Sequence, residues 1–347
     1  MKKLKTTFVL FLSMIAAGCF VSCSDWTKPE PLDIDTPSIQ EANPLSYQEY
    51  LAKVRNYKKT YHPLMIGMFD NVDKTIIGRA ASIKSVPEKV DIISLMNGDD
   101  LTDIQLSDIA FVREHYGTKV IYCIAYEDMR KKIDRLNAEI LEKNTDAEKQ
   151  AAIDGTVFVP IPYWDIAVEA AKYMDEQLAL LDKYQYDGYA LNYDGRSTQL
   201  MLDAEIEEMR TVQNIIFNKA LAVMDANPDK IFIFDGRPQS MLDKSILPKF
   251  NYILIRAHSS LITALIDVTI TVKLALLAPG VPGNNIIVSA PTYPGGITEV
   301  AHWVKTEDDF TKCGMAMYQI NLDYFNPDWD YKNVREAINI MNPSPLK

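Results

Sequence analysis

The sequence predicts an α/β chain closed into a (β/α)8, or TIM, barrel. Three observations carry this. Eight short apolar runs fall along the chain, helical stretches separate them, and every run but the seventh delivers an ionisable or amide side chain within two residues of its end. Parallel strands covered on both faces read as short apolar runs, and a barrel gathers its chemistry at their carboxyl ends. The runs lie at 64–69, 90–95, 119–125, 188–193, 231–234, 252–255, 285–289 and 315–320. Helical stretches lie at 46–59, 105–116, 165–184, 201–226 and 261–277. A charged helical stretch at 128–153, between the third and fourth runs, reads as a surface insertion on a strand-to-helix loop.

What precedes the first helix is a targeting region. Lys2, Lys3 and Lys5 form a positive start, and an apolar run at 8–17 follows that is too short to span a bilayer. Residues 1–22 therefore read as a signal peptide. Cys19 and Cys23 both end small-residue stretches that resemble a lipobox, whose cysteine is acylated and becomes the mature N-terminus. Cys23 is preferred, because Ser24, Asp25 and Trp26 open a polar, acidic start similar to that of surface-exported lipoproteins; Cys19 stays open. Residues 23–44, with Pro29, Pro31, Pro37 and Pro44, read as a tether, and 45–347 as the barrel. The expectation is a chain held at the outer membrane or cell surface by several acyl chains.

Charge narrows the ligand. The chain carries a formal charge of −11, and removing the three lysines of the signal peptide takes it to −14. That argues against nucleic acid and suits a neutral polymer. The run at 261–278 is the most apolar after the signal peptide, but Asp267 and Lys273 interrupt it and a strand lies on either side; it reads as a barrel helix rather than a membrane span. Cys123 and Cys313 fall near non-neighbouring strands and read as two buried thiols rather than a disulfide. No metal-ligand spacing is present.

The strand ends, in order, deliver Asp70; Asn97, Asp99 and Asp100; Tyr126, Glu127 and Asp128; Asn192 and Asp194; Asp235 and Arg237; Arg256 and His258; Tyr293; then Gln319, Asn321, Asp323 and Tyr324. Asp, Asn and Arg with aromatic faces between them suit sugar hydroxyls.

The fourth run is the most specific. Asp187-Gly188-Tyr189-Ala190-Leu191-Asn192-Tyr193-Asp194 is a short strand ending in a carboxylate. Alternation puts Ala190, Asn192 and Asp194 on one face. The stretch resembles the signature of glycoside hydrolase family 18, the chitinases and endo-β-N-acetylglucosaminidases, written D-x-x-D-x-D-x-E. The first Asp is kept as Asp187; Ala190, Asn192 and Asp194 stand where Asp, Asp and Glu are usual. The resemblance extends to 314–323, where Tyr318 takes the place of the aromatic, usually Trp, that floors the sugar subsite. At the sixth run Ile255-Arg256-Ala257-His258 stands where chitinases often carry Met-x-Tyr-Asp.

The resemblance implies substrate-assisted chemistry without a metal or cofactor. The sugar's N-acetyl oxygen attacks its own anomeric carbon, the motif Glu protonates the leaving oxygen, and the Asp two residues earlier stabilises the cationic oxazolinium. Asn192 brings no charge to that cation, a loss of about 10²–10³ in rate. Asp194 is one methylene short, and a misplacement of about 1 Å costs about 10². Together these are on the order of 10⁴–10⁵, or roughly 5.5–7 kcal/mol. Glu127, Asp128 or Asp235 are the side chains that could compensate. Three readings follow: a glycan-binding barrel that has lost catalysis, with membrane and a glycan-transport complex as partners; an active endo-β-N-acetylglucosaminidase; or a protein-interaction scaffold. Beyond Tyr318 and the motif remnants Asn192 and Asp194, the sugar contacts expected are Asp70, Asp99, Glu127, Asp235, Arg237, Arg256, His258, Tyr293 and Asn321.

Overall fold

The computed structural model describes residues 44–74, 78–257, 264–290 and 296–343. The expected signal peptide, both candidate acylation cysteines and nearly all of the expected tether lie outside the described residues. The chain divides into two compact units, Met1–Glu49 and Tyr50–Lys347; residues 44–49 of the first are helical.

Eight parallel strands close a barrel in chain order: β1 (Leu64–Phe69), β2 (Ile92–Leu95), β3 (Lys119–Ile124), β4 (Gly188–Tyr193), β5 (Ile231–Gly236), β6 (Tyr252–Arg256), β7 (Ile286–Ala290) and β8 (Lys312–Met317). The helices are α1 (Pro44–Tyr57), α2 (Asp103–Phe111), α3 (Tyr126–Asp154), α4 (Ile166–Lys183), α5 (Asp203–Ala226), α6 (Ala264–Leu276), α7 (Gly296–Val304) and α8 (Lys332–Met341). The predicted (β/α)8 barrel is the observed one, with two irregular crossovers. Among the described residues, β1–β2 and β5–β6 are joined by 3-10 turns. In the second crossover Pro238 is the first and Pro248 the second residue of such a turn, where proline's missing N–H costs nothing, and neither suits the interior of an α-helix. The predicted insertion is α3, 29 residues long and mostly exposed. The apolar run after β6 is α6, whose Val268, Val272 and Ala275 are buried. No helix among the described residues is long and apolar enough to cross a membrane.

The barrel centre is one ring of eight side chains, one from each strand: Ile66, Ile92, Ile121, Ala190, Ile233, Leu254, Ile287 and Ala316. Outside the sheet, under α4 and α5, the opposite faces of β3 to β5 carry an aromatic layer. Tyr122, Tyr189 and Tyr193 are buried there, and their hydroxyls are satisfied by Gln177 O, Ala220 O and Gln213 Nε2 at 2.7, 3.0 and 2.7 Å. An aromatic body with a hydrogen-bonded tip suits such a position. Alternation along 188–193 is therefore as the sequence implies.

Two expectations need correction. The eighth strand begins three residues earlier than predicted and ends at Met317, so Tyr318 lies just past it. Gly314 looks like a break in sequence, yet it is inside the strand: at φ 142° it packs on β1, where a Cβ would stand 2.1 Å from Leu64 O. The strand stops because Gln319 turns into the left-handed region at φ 48°. Of the two thiols, both free, only Cys123 is buried; Cys313 is partly exposed.

Candidate functional site

Counting two residues past each member of the central ring gives the next ring toward the carboxyl ends: Met68, Ser94, Cys123, Asn192, Asp235, Arg256, Ser289 and Tyr318. The lower ring is wholly apolar, whereas most of this one is polar. The change of character along the same strands marks where packing gives way to a site.

Its centre is an ion pair. Arg256 donates from Nε and Nη2 to the two oxygens of Asp235 at 2.8 and 2.6 Å. Asp235 is fully buried, while the Arg256 side chain keeps 27% of its surface exposed. The nearby carboxylate holds Arg256 above its ordinary range despite burial. Asn192, buried beside them and in register with Asp235, donates to the Asp235 carbonyl at 3.1 Å. Ser289 accepts from Ala257 N at 3.2 Å. Burial pushes the Cys123 thiol up to about 12, with Asp235 adding to the shift, so it stays protonated. Ser94 Oγ is buried without a hydrogen-bond partner, one polar atom held on the β2 side of the ring.

Asp194 follows β4 and is half-buried. Burial pushes its carboxyl above the usual range; Arg256 and Arg237 oppose this, and Glu127 and Asp235 reinforce it. Its backbone is fixed from behind. Glu127 Oε1 accepts from Asp194 N and Gly195 N at 2.8 and 3.0 Å, and Oε2 accepts from Arg130 at 3.2 Å. Both Glu127 oxygens are thus committed, beside a cavity of about 60 Å³ walled by Tyr126, Tyr193 and Met209 on the helix side of β4.

A second group gathers at the β8–β1 seam. Asp70 accepts from Gln319 Nε2 at 3.1 Å, and its backbone N–H donates to Asn321 Oδ1 at 3.1 Å. Tyr318, half-buried, precedes this pair in the chain.

Of the predicted residues, then, Asn192, Asp194, Asp235 and Arg256 come together on β4–β6, with Arg237 near Asp194, and Asp70 and Asn321 meet on β8–β1. Glu127 meets the first group only through the Asp194 and Gly195 backbone, and Asp99 joins neither: it is tied to Lys183 and Tyr184 at 2.6 and 3.0 Å. Asp128 is exposed and faces Lys131 at 3.7 Å. Asp323 caps α8 through Val334 N and Asn333 at 2.9 and 2.7 Å. Asp187 sits at the opposite end of β4, held by Arg113, Lys119 and Val120 N at 2.8, 3.2 and 2.9 Å. His258 and Tyr293 lie outside the described residues. Reasoning from sequence missed Ser94, Cys123 and Ser289, although alternation counted from Ala190 across neighbouring strands points to them.

The model of glycoside hydrolase family 18, BT1044-like, matches residues 27–293, well over half of the chain. Among solved structures, a Glu-to-Gln variant of BT1044 is 17% identical with a TM-score of 0.58, covering 88% of this chain and 96% of that one. An endo-β-N-acetylglucosaminidase from Cordyceps militaris, a double mutant in complex with fucosyl-N-acetylglucosamine-Asn, is 19% identical with a TM-score of 0.54, covering 84% and 95%. A family 18 chitinase from Pseudoalteromonas aurantia is 11% identical with a TM-score of 0.51, covering 79% and 99%. At these identities the solved structures establish the fold alone. No curated protein sequence matches significantly.

Proposed function

The chain belongs to glycoside hydrolase family 18, and we propose that it is a surface-anchored lipoprotein that binds glycans containing N-acetylglucosamine without turning them over at an enzyme's rate. The observation that carries this is the Asp235–Arg256 pair beside Asn192. Substrate-assisted cleavage needs an uncompensated carboxylate next to the acid, facing the cationic intermediate. Here the buried carboxylate of the lumen ring, Asp235, is consumed in a bidentate pair with an arginine, and the residue two before Asp194 is an amide. An arginine facing a developing cation opposes it. The same groups are good sugar ligands: an arginine with three N–H donors left over, an amide, a half-buried carboxyl, and Tyr318 as a stacking face. The Cordyceps militaris neighbour, crystallised with a fucosylated N-acetylglucosamine on Asn, supports this ligand class.

Residual endo-β-N-acetylglucosaminidase activity is the second reading, and one observation favours it. Burial raises the Asp194 carboxyl in the direction a general acid requires. Glu127 offers no rescue, because its oxygens hold backbone N–H groups and Arg130.

Calorimetry and product analysis on one labelled N-glycan separate the readings. Binding with no more than trace product is expected for the wild type. Asn192→Asp combined with Asp194→Glu is expected to raise turnover. Robust hydrolysis by the wild type would refute the binding-only reading, and absence of binding across a broad glycan panel would move the interaction scaffold to the front. For the anchor, Cys23→Ala is expected to leave the protein soluble in the periplasm or with its signal peptide uncleaved; unchanged fractionation with Cys19 intact would transfer acylation to Cys19.

A further inference from the structure

A second cavity, of about 530 Å³, opens at the amino end of the barrel, opposite the ring described above. Its apolar wall is Leu64, Ile92, Ile231 and Tyr252, the first residues of β1, β2, β5 and β6. Its rim is basic. Arg55, Lys58, Lys59 and Lys119 line it against a single carboxylate, Asp91. That carboxylate is already answered by His62 Nε2 and by Met65 N, each at 2.9 Å. Asp187, which meets Lys119, is shared with Arg113. Four cations around one cavity stand out on a chain whose formal charge is −11.

The cations are also poised. Arg55 spends Nη1 on His115 O at 2.6 Å and packs its stem on Gly117. Lys58 donates to Val90 O and Thr118 Oγ1 at 2.6 and 2.7 Å, which leaves one ammonium N–H for a third partner. Burial holds Lys58 down to about 8 although Asp91 and Glu88 pull it up. Lys59 is exposed, and Lys119 is more than half exposed. A purely structural floor would be filled with side chains. Here like charges instead surround space of the size that small-ligand sites occupy.

We propose that this amino-end cavity is a binding site for a phosphate ester, its anion held by the four cations and its organic part lying on the apolar wall. Converging arginine and lysine N–H groups are the usual recognition of phosphate, and the wall favours an ester over the bare ion. A soluble phosphorylated small molecule and a lipid headgroup present the same chemistry. This inference concerns the opposite end of the barrel from the glycan site and stands independently of it.

The test is calorimetry on the detergent-solubilised full chain with inorganic phosphate, glycerol 3-phosphate, and micelles doped with phosphatidylglycerol or phosphatidylcholine. Glycerol 3-phosphate is expected to bind with a Kd of about 1 mM or tighter, and inorganic phosphate more weakly. Lys59→Glu with Lys119→Glu is expected to weaken binding at least tenfold with an unchanged circular-dichroism spectrum; Lys58→Met gives a second, independent loss. Competition by phosphatidylglycerol but not phosphatidylcholine assigns the site to lipid, and lack of competition assigns it to a soluble ester. No binding of any phosphate probe, or equal affinity in the double charge-reversal variant, overturns the proposal.

Discussion

The two aspartates that bracket β4 have opposite surroundings. Asp187, before the strand, is met by Arg113, Lys119 and the Val120 N–H. Asp194, after it, has its backbone gripped by Glu127 while its side chain is left half-buried among Arg256, Arg237 and Asp235. A carboxylate with every oxygen answered locks strand β3 to β4 and is chemically spent. A carboxyl held by its backbone and raised by burial is available to a ligand. In this motif, therefore, the residue kept from the family signature is the structural one, and the substituted residues are those that face the lumen.

The largest effect should come from breaking the pair at the lumen end. Arg256→Met leaves the fully buried Asp235 carboxylate without its partner, and about 3–5 kcal/mol of unfolding free energy should be lost, measured by urea denaturation. Adding Asp235→Leu to the same chain should restore most of it. If the double variant is no more stable than the single one, the ion pair is not what sets the cost.

Next in size is the structural end. Asp187→Ala should cost about 1–3 kcal/mol, because it strands the Val120 N–H and frees two cations, while leaving glycan affinity as it was. A loss of affinity without a loss of stability would reverse the roles assigned to the two aspartates.

The binding predictions are smaller. Tyr318→Ala should weaken glycan binding by roughly 1–2 kcal/mol, the scale of a lost aromatic contact. Asn192→Ala should weaken it by about 1 kcal/mol, the worth of one neutral hydrogen bond. Calorimetry reads both, and wild-type affinity in the Tyr318 variant would remove the strand-end ring as the glycan site.

The subtlest prediction concerns pH. The folded Asp194 carboxyl lies above its ordinary value of 3.8, so the native state holds this proton more tightly than the unfolded chain. Its contribution is fully present below about 3.8 and is lost as pH rises through the folded value. Asp194→Asn should therefore gain stability relative to wild type as pH rises from about 4. Parallel stability curves across that range would show that Asp194 is not desolvated.

Much of this was legible in the sequence because it rests on local rules. Eight apolar runs and the alternation along 188–193 give the barrel and the facing of Asn192. The early start of β8 takes in Gly314, whose place against Leu64 is a matter of tertiary approach that no local pattern carries. The two proline-containing turns between β5 and β6 lay in the sequence, but the helix they replace is the barrel's usual choice. In the site, the residues after the strands could be named, but not which would spend their charges on one another. Arg256 and Asp235 are 21 positions apart, and only closure of adjacent strands makes them a bidentate pair. Glu127 was equally invisible as a backbone clamp, because its partners are N–H groups 67 and 68 residues away.

The most direct measurement is native mass spectrometry of the wild-type chain incubated with an oligosaccharide containing N-acetylglucosamine. The expected spectrum is a one-to-one complex whose released ligand keeps its full mass after hours of incubation. A ligand cleaved at an ordinary enzymatic rate, on the order of 1 s⁻¹ or faster, would show that a lumen built around Asn192, Asp194 and the Asp235–Arg256 pair still performs the family's chemistry.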